Sequence, residues 1–229
     1  MIHTLRPHQV FLLHDTSRDS DRLSRFVLPT ERTPRLLETA VLIALLKALQ
    51  ARHVFEIGTL YGLQTLNLAA NLPPGGHVWT LDLDDAAFAQ ARQTEQDREI
   101  SRRHLAAANE LAFAVEPWAE KVTRLRGDSN LFDFTPYLKQ VDLVYIDGGH
   151  DRRTVESDTN SALKMLDPER PGAVVWHDYG NPAYPEVQAA LDEWANGRNL
   201  YAVAETQLAM TFNEATVDLV ARLENRTAP

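Results

Sequence analysis

His53-Val54-Phe55-Glu56-Ile57-Gly58-Thr59-Leu60-Tyr61-Gly62-Leu63-Gln64-Thr65 reads as a buried strand, a glycine turn and the start of a helix. Val54, Phe55 and Ile57 form a short apolar run with strand propensity, and Gly58 ends it where the backbone has to turn sharply or approach a ligand closely. Gly62 then opens an apolar helical segment through Leu63, Leu66, Leu68, Ala69 and Ala70. The first turn of such a helix leaves amide N–H groups unpaired and facing the loop, which suits an anion or a polar small molecule. A dinucleotide fingerprint would read Gly-x-Gly-x-x-Gly; with only Gly58 and Gly62 present, the pyrophosphate cradle is incomplete.

Four further strands follow, each ending in an acid. His77 to Asp82 places a carboxylate 24 residues after Gly58, the distance at which a neighbouring parallel strand presents an acid to a ribose diol. The alternative for Asp82 is the N-cap of the segment starting Asp84-Asp85-Ala86, which Asp84 or Asp85 can supply instead. Val122 to Arg126 alternates apolar and polar residues and ends in Gly127-Asp128-Ser129, where an Asx-turn competes with a ligand contact. Val141 to Asp147 runs into Gly148-Gly149-His150-Asp151, and Gly172 to Asp178 into Tyr179-Gly180-Asn181-Pro182, with a helix from about Arg152 to Leu166 between them. Adjacent parallel strands lie about 4.8 Å apart, so Asp147 and Asp178 can converge on one ion, and two hard oxygen ligands plus water suit Mg²⁺.

A chain of 229 residues with 44% hydrophobic content suits one α/β domain, and no linker divides it. The net charge of −9 argues against nucleic acid or an anionic membrane surface as main partner and leaves a small molecule as the expected substrate. Without cysteine there are no disulfides, thiolate metal sites or thiol nucleophiles. Residues 1–10 lack the pattern of a signal peptide, and the apolar run Leu36 to Leu49 is too short to span a bilayer, so a soluble cytoplasmic protein is expected. Residues 1–33 read as an N-terminal arm whose polar part, 14–33, forms a short helix or ordered segment, with Pro34 opening a helix over about 35–50. Residues 83–121 read as a helical insertion of one long or two consecutive helices, most simply a solvated face. The other reading makes Leu105–Ala108 and Leu111–Val115 a lid or subunit contact, which leaves a homo-oligomer open. A helix over Pro185–Asn196, two edge strands over Leu200–Ala204 and Leu208–Phe212, and a frayed terminal helix over 214–229 complete the chain.

The pattern Glu56-x-Gly58-x-x-x-Gly62 resembles the first motif of class I S-adenosylmethionine-dependent methyltransferases. Continued through Asp82, Gly127-Asp128-Ser129, Asp147-x-x-His150 and Asp178, the order resembles the catechol and caffeoyl-coenzyme A O-methyltransferase group, above all its bacterial relatives with Asp-Gly-x-His and His-Asp-Tyr strand ends. The likeness covers about residues 34–213. It implies a Rossmann-like α/β fold: a seven-stranded, mostly parallel sheet with helices on both faces and an antiparallel last strand.

The resemblance also implies that Glu56, Gly58, Thr59, Tyr61, Gly62, Thr65, Asp82, Asp128 and Ser129 bind S-adenosylmethionine and that Asp147 and Asp178 hold Mg²⁺. His150 stands where the group carries a lysine base, and its unperturbed pKa of about 6.5 suits that role, with Asp147 beside it. Tyr179 stands where the group carries an asparagine ligand, so the third protein ligand is missing unless Asn181 or water supplies it. His177, adjacent to Asp178 on a strand, is expected on the opposite face in a structural role. The expected activity is methyl transfer to a hydroxyl of a small molecule of catechol, sugar or natural-product type. The alternatives are a non-catalytic methyltransferase-like binding protein and a nucleotide-dependent oxidoreductase.

Overall fold

A strand that is apolar on both faces has to sit between two layers of helices. The computed structural model, which describes residues 1–13, 25–26, 36–91, 93–106 and 118–225, places the strand before the glycine turn in that position. This strand, β2 (His53–Ile57), pairs in parallel with β3 (His77–Asp82) on one side and with β5 (Leu143–Ile146) on the other. β4 (Val122–Arg126) lies beyond β3, and β6 (Ala173–Trp176) lies beyond β5, both parallel. β8 (Ala209–Phe212) follows β6 antiparallel, then β7 (Leu200–Val203), and β1 (Ile2–Leu5) closes that edge in parallel. The order is β1-β7-β8-β6-β5-β2-β3-β4.

This is the expected Rossmann-like sheet with two differences. It has eight strands rather than seven, because Ile2–Leu5 of the N-terminal arm pairs with β7. The pair read as edge strands is not at the edge, since β8 is inserted between β6 and β7 and β1 covers β7.

Alternate residues of each strand feed two cores. Val54, Leu143, Tyr145, Val175 and Tyr201 join α1 (Pro7–Phe11), α2 (Leu36–Ala48) and α3 (Leu63–Asn71) on one face. Phe55, Ile57, Val144, Ile146 and Trp176 join α6 (Arg152–Met165) and α7 (Pro185–Trp194) on the other. α2 is the helix expected over 35–50, and residues 14–24 and 27–35, including Pro34, lie outside the described residues. The insertion contains two helices, α4 (Asp85–Gln90) and α5 (Glu95–Ala106); the Leu111–Val115 segment and Ala107 and Ala108 lie outside the described residues. A terminal helix α8 (Val217–Asn225) follows a 3-10 turn. No helix among the described residues is long and apolar enough to cross a membrane.

Candidate active site

The carboxyl ends of β2 to β6 open onto one cleft of about 320 Å³, within the range of small-molecule sites. At its centre is the turn after β2. Gly58 has φ of +97°, and a Cβ there would lie 2.0 Å from the Asp147 carbonyl oxygen, so only glycine lets the two strand ends pass this closely. Gly62 adopts the left-handed conformation at the N-cap of α3, with φ of +73°. The Asp82 carboxylate accepts hydrogen bonds from the backbone amides of Thr59 (3.1 Å), Leu60 (2.7 Å) and Leu83 (2.8 Å). It thus fixes the turn while lining the cleft.

The residues expected to hold a cofactor divide into two groups. Gly58, Asp82, Asp128 and Ser129 line the cleft. Glu56 and Thr65 lie beneath it, 1% and 0% exposed. Both the Thr65 and Thr80 hydroxyls donate to Glu56, so this acid ties α3 and β3 to β2. Burial raises its pKa to about 8 against those two hydrogen bonds. Thr59 is buried with its hydroxyl 2.7 Å from that of Thr80, and neither Thr59, Tyr61 nor Gly62 lines the cleft. Asp128 accepts from the backbone amide of Asn130 at 2.9 Å, the Asx-turn weighed from the sequence, while remaining on the cleft wall.

The other end of the cleft carries the titratable groups. Asp147, His150 and Asp178 each offer a ligand atom, and these atoms all lie within 4.8 Å of one another. Asp178 leaves β6 with φ of +60°, an uncommon conformation for a non-glycine residue, which turns its carboxylate toward His150. Asn181 donates its side-chain amide to Asp178, and its own oxygen accepts from Ala183 at 3.0 Å. Tyr179 points away, its hydroxyl donating to Asp192 at 2.6 Å. Neither therefore takes the place of the missing asparagine ligand.

Both ring nitrogens of His150 face carboxylates: Nδ1 lies 2.6 Å from Asp97, and Nε2 lies 2.9 Å from Asp178. Burial lowers its pKa, but the hydrogen bonds it donates to Asp178 and Asp97 outweigh burial and raise it to about 9. The ring stacks on Tyr184 with centroids 3.7 Å apart. His177 does not lie on the opposite face. Its Nε2 is 3.0 Å from Glu38, and its Nδ1 is 2.9 Å from Asp178 and 3.3 Å from Asp147. Alternation fails there because β6 ends at Trp176 and Asp178 turns left-handed. Tyr145 donates to the second oxygen of Asp147 at 3.2 Å. Burial pushes the Asp147 carboxyl up, and the charge and hydrogen bond of His177 more than offset this, leaving it below the ordinary carboxylate value.

Residues 55–179, more than half of the chain, match the family described as "Methyltransferase domain". The chain belongs to this methyltransferase family. Among solved structures it is similar to an O-methyltransferase from Bacillus cereus in complex with SAH, at 20% identity, covering 82% of this chain and 84% of that one, with a TM-score of 0.52. It is also similar to the cofactor-bound Rv0187 from MTB, at 22% identity, with the same coverage of 82% and 84% and a TM-score of 0.50. At these identities the likeness is one of fold. No curated protein matched the chain.

In this methyltransferase two site residues escape a reading of motifs. Asp97 lies on α5, inside the insertion read as a solvated face, yet it is 5% exposed and its other oxygen accepts from the His150 backbone amide at 3.1 Å. Glu38 lies in the first turn of α2, 5% exposed, and binds both His177 and the backbone amide of Gln207 (2.8 Å). The available signal was an acid near the start of a mostly apolar helix, Leu36-Leu37-Glu38-Thr39-Ala40.

Proposed function

We infer that the protein is an S-adenosylmethionine-dependent O-methyltransferase acting on a small hydroxylated acceptor. The observation that carries this reading is the shared cleft: the Gly58 turn and Asp82 line one part, while Asp147, His150 and Asp178 line another. A cofactor seated on the glycine turn would direct its methyl group toward the acidic end. The B. cereus O-methyltransferase, which shares the fold, was crystallised with SAH, and this supports a cofactor of that kind. Asp82 lines the cleft where a ribose diol would meet it, and Asp128 and Ser129 stand where an adenine ring would reach the wall.

In the transfer step the acceptor oxygen bonds to the methyl carbon, the carbon–sulfur bond breaks, and its electron pair stays on sulfur. The chemistry needs no covalent enzyme intermediate, so positioning supplies most of the rate. The hydroxyl proton has to leave. The Asp147 carboxylate, whose side chain is 36% exposed and lines the cleft, is placed to receive it. The two aspartates fit a divalent cation, held by Asp147 and Asp178, which when bound would polarise the acceptor hydroxyl.

The test is calorimetric titration of S-adenosylhomocysteine into the protein and into Asp82→Ala, followed by transfer of labelled methyl from S-adenosylmethionine to a panel of catechols and sugars. Binding weakened at least tenfold by the substitution, with label appearing on an acceptor oxygen, is the expected result. Absence of S-adenosylhomocysteine binding would overturn the reading, and binding of NAD in its place would revive an oxidoreductase.

A further inference from the structure

We propose that His150 is a metal ligand together with Asp147 and Asp178, and that the site selects a first-row transition cation of the Mn²⁺ to Zn²⁺ series over Mg²⁺. The proposal rests on the methyltransferase reading only for the cation's use, not for its binding. Three observations carry it.

The donors come first. The ligand atoms of Asp147, His150 and Asp178 lie within 4.8 Å of one another, close enough to share one ion. Mg²⁺ asks for oxygen donors in near-octahedral array. Here the residues that could have supplied a neutral oxygen are turned elsewhere: Tyr179 to Asp192, and the Asn181 oxygen to the Ala183 amide. The third donor is an imidazole nitrogen, which suits the transition series.

The second observation is the shell behind that donor. A metal-bound histidine characteristically gives its other ring N–H to a carboxylate, which sets tautomer and orientation. Asp97 does this for His150 at Nδ1 and also receives the residue's backbone N–H, while Tyr184 stacks on the ring, so Nε2 is aimed at Asp178.

The third is His177, which repeats the pattern. Glu38 holds its Nε2, and Nδ1 lies between the Asp178 and Asp147 carboxylates at 2.9 and 3.3 Å. That nitrogen is buried and lacks the alignment of a hydrogen bond to either. Two carboxylate-backed imidazoles thus present their inner nitrogens to one pair of aspartates.

The experiment is titration of Co²⁺, Mn²⁺ and Mg²⁺ into the full chain, followed by calorimetry and by the visible absorption of Co²⁺, which reports ligand type. Co²⁺ should bind with d–d bands, and millimolar Mg²⁺ should not displace it. His150→Ala should weaken Co²⁺ at least 100-fold and change the spectrum. Asp97→Asn keeps all three donors and should weaken Co²⁺ by about 10–100-fold while leaving the weak Mg²⁺ affinity unchanged. Mg²⁺ binding as tightly as Co²⁺, or a Co²⁺ spectrum and affinity unaltered by both substitutions, would overturn the proposal. S-adenosylhomocysteine is titrated in the same samples: if it binds while Co²⁺ shows oxygen ligands only, the ligand assignment fails and the methyltransferase reading stands. If it does not bind while Co²⁺ behaves as expected, the reverse holds.

Discussion

Gly58→Ala should be strongly destabilising, and Gly75→Ala is its control. Both glycines have positive φ, +97° and +75°, so both substitutions place an L side chain in a disfavoured conformation, at about 1–2 kcal/mol. The surroundings differ. Nothing lies within 4 Å of a Cβ at Gly75, whereas at Gly58 it meets the Asp147 carbonyl oxygen at 2.0 Å, its carbon at 2.5 Å and the Gly148 nitrogen at 3.0 Å. These are backbone atoms of a neighbouring strand end, pinned by the Asp147 N–H bond to Ile57 at 2.8 Å, so no rotamer change relieves the overlap. Forcing the two strands apart adds about 1–3 kcal/mol or more, as for other overpacked sites. The total of about 2–5 kcal/mol is a large part of the roughly 5–15 kcal/mol that holds a domain folded. Urea unfolding should show Gly58→Ala about 1–3 kcal/mol less stable than Gly75→Ala, with S-adenosylhomocysteine binding lost only in the former. Equal midpoints for the two variants would show that Asp147 yields freely, and would refute the claim that the turn is held by close strand passage.

Other substitutions test the parts beneath the cleft. Glu56 has a folded pKa of about 8 against an ordinary value of 4.5, so the folded state keeps a proton that the unfolded chain releases, and stability falls as pH rises from about 4.5 to about 8. The slope amounts to at most about 5 kcal/mol at about 1.36 kcal/mol per pKa unit; Glu56→Gln should abolish it, and denaturation at pH 5 and pH 8 with parallel changes in both proteins would contradict the assignment. Asp142 accepts from the Arg52 and His53 amides, both at 2.8 Å, and pairs with Arg170 at 2.9 Å, anchoring the start of β2. Asp142→Ala should cost about 2–3 kcal/mol by stripping those amides, while Asp142→Asn, which keeps one oxygen, should recover part of the loss in the same unfolding assay.

The parallel strands and the acids at their ends were legible because a strand buried on both faces has to be a continuous apolar run, and Gly58 and Gly148 mark where such runs stop. What was not legible depended on contacts between distant residues. Ile2-His3-Thr4-Leu5 is too short and too polar to announce a strand, and it becomes one only because β7 offers a free edge. Asp97 sits in the charged run Glu95-Gln96-Asp97-Arg98-Glu99, where nothing in the sequence separates the acid that meets His150 from Glu99, which pairs with Arg103 at 2.8 Å in solvent. His177 was placed by the two-residue alternation of strands, a rule that lapses once a strand ends, and φ of +60° at Asp178 is not written in the sequence.

The charge of the cleft bears on which ligand it takes. Asp82, Asp97, Asp128, Asp147 and Asp178 line it with Glu38 behind His177, against the imidazoles of His150 and His177, and no lysine or arginine lines it among the described residues. Even with both imidazoles protonated the balance is −4, from six carboxylates and two cations. A pyrophosphate would enter that field against repulsion and find no counter-charge, which argues against a dinucleotide independently of the incomplete glycine fingerprint. A sulfonium is attracted by it. After methyl transfer the sulfur is neutral, so the attraction that helped bring the cofactor in no longer holds the product, and the same groups that favour binding favour release. By the same reasoning the cleft favours a neutral hydroxyl compound over a phosphate ester as acceptor, because an anion would meet the five carboxylates that line it.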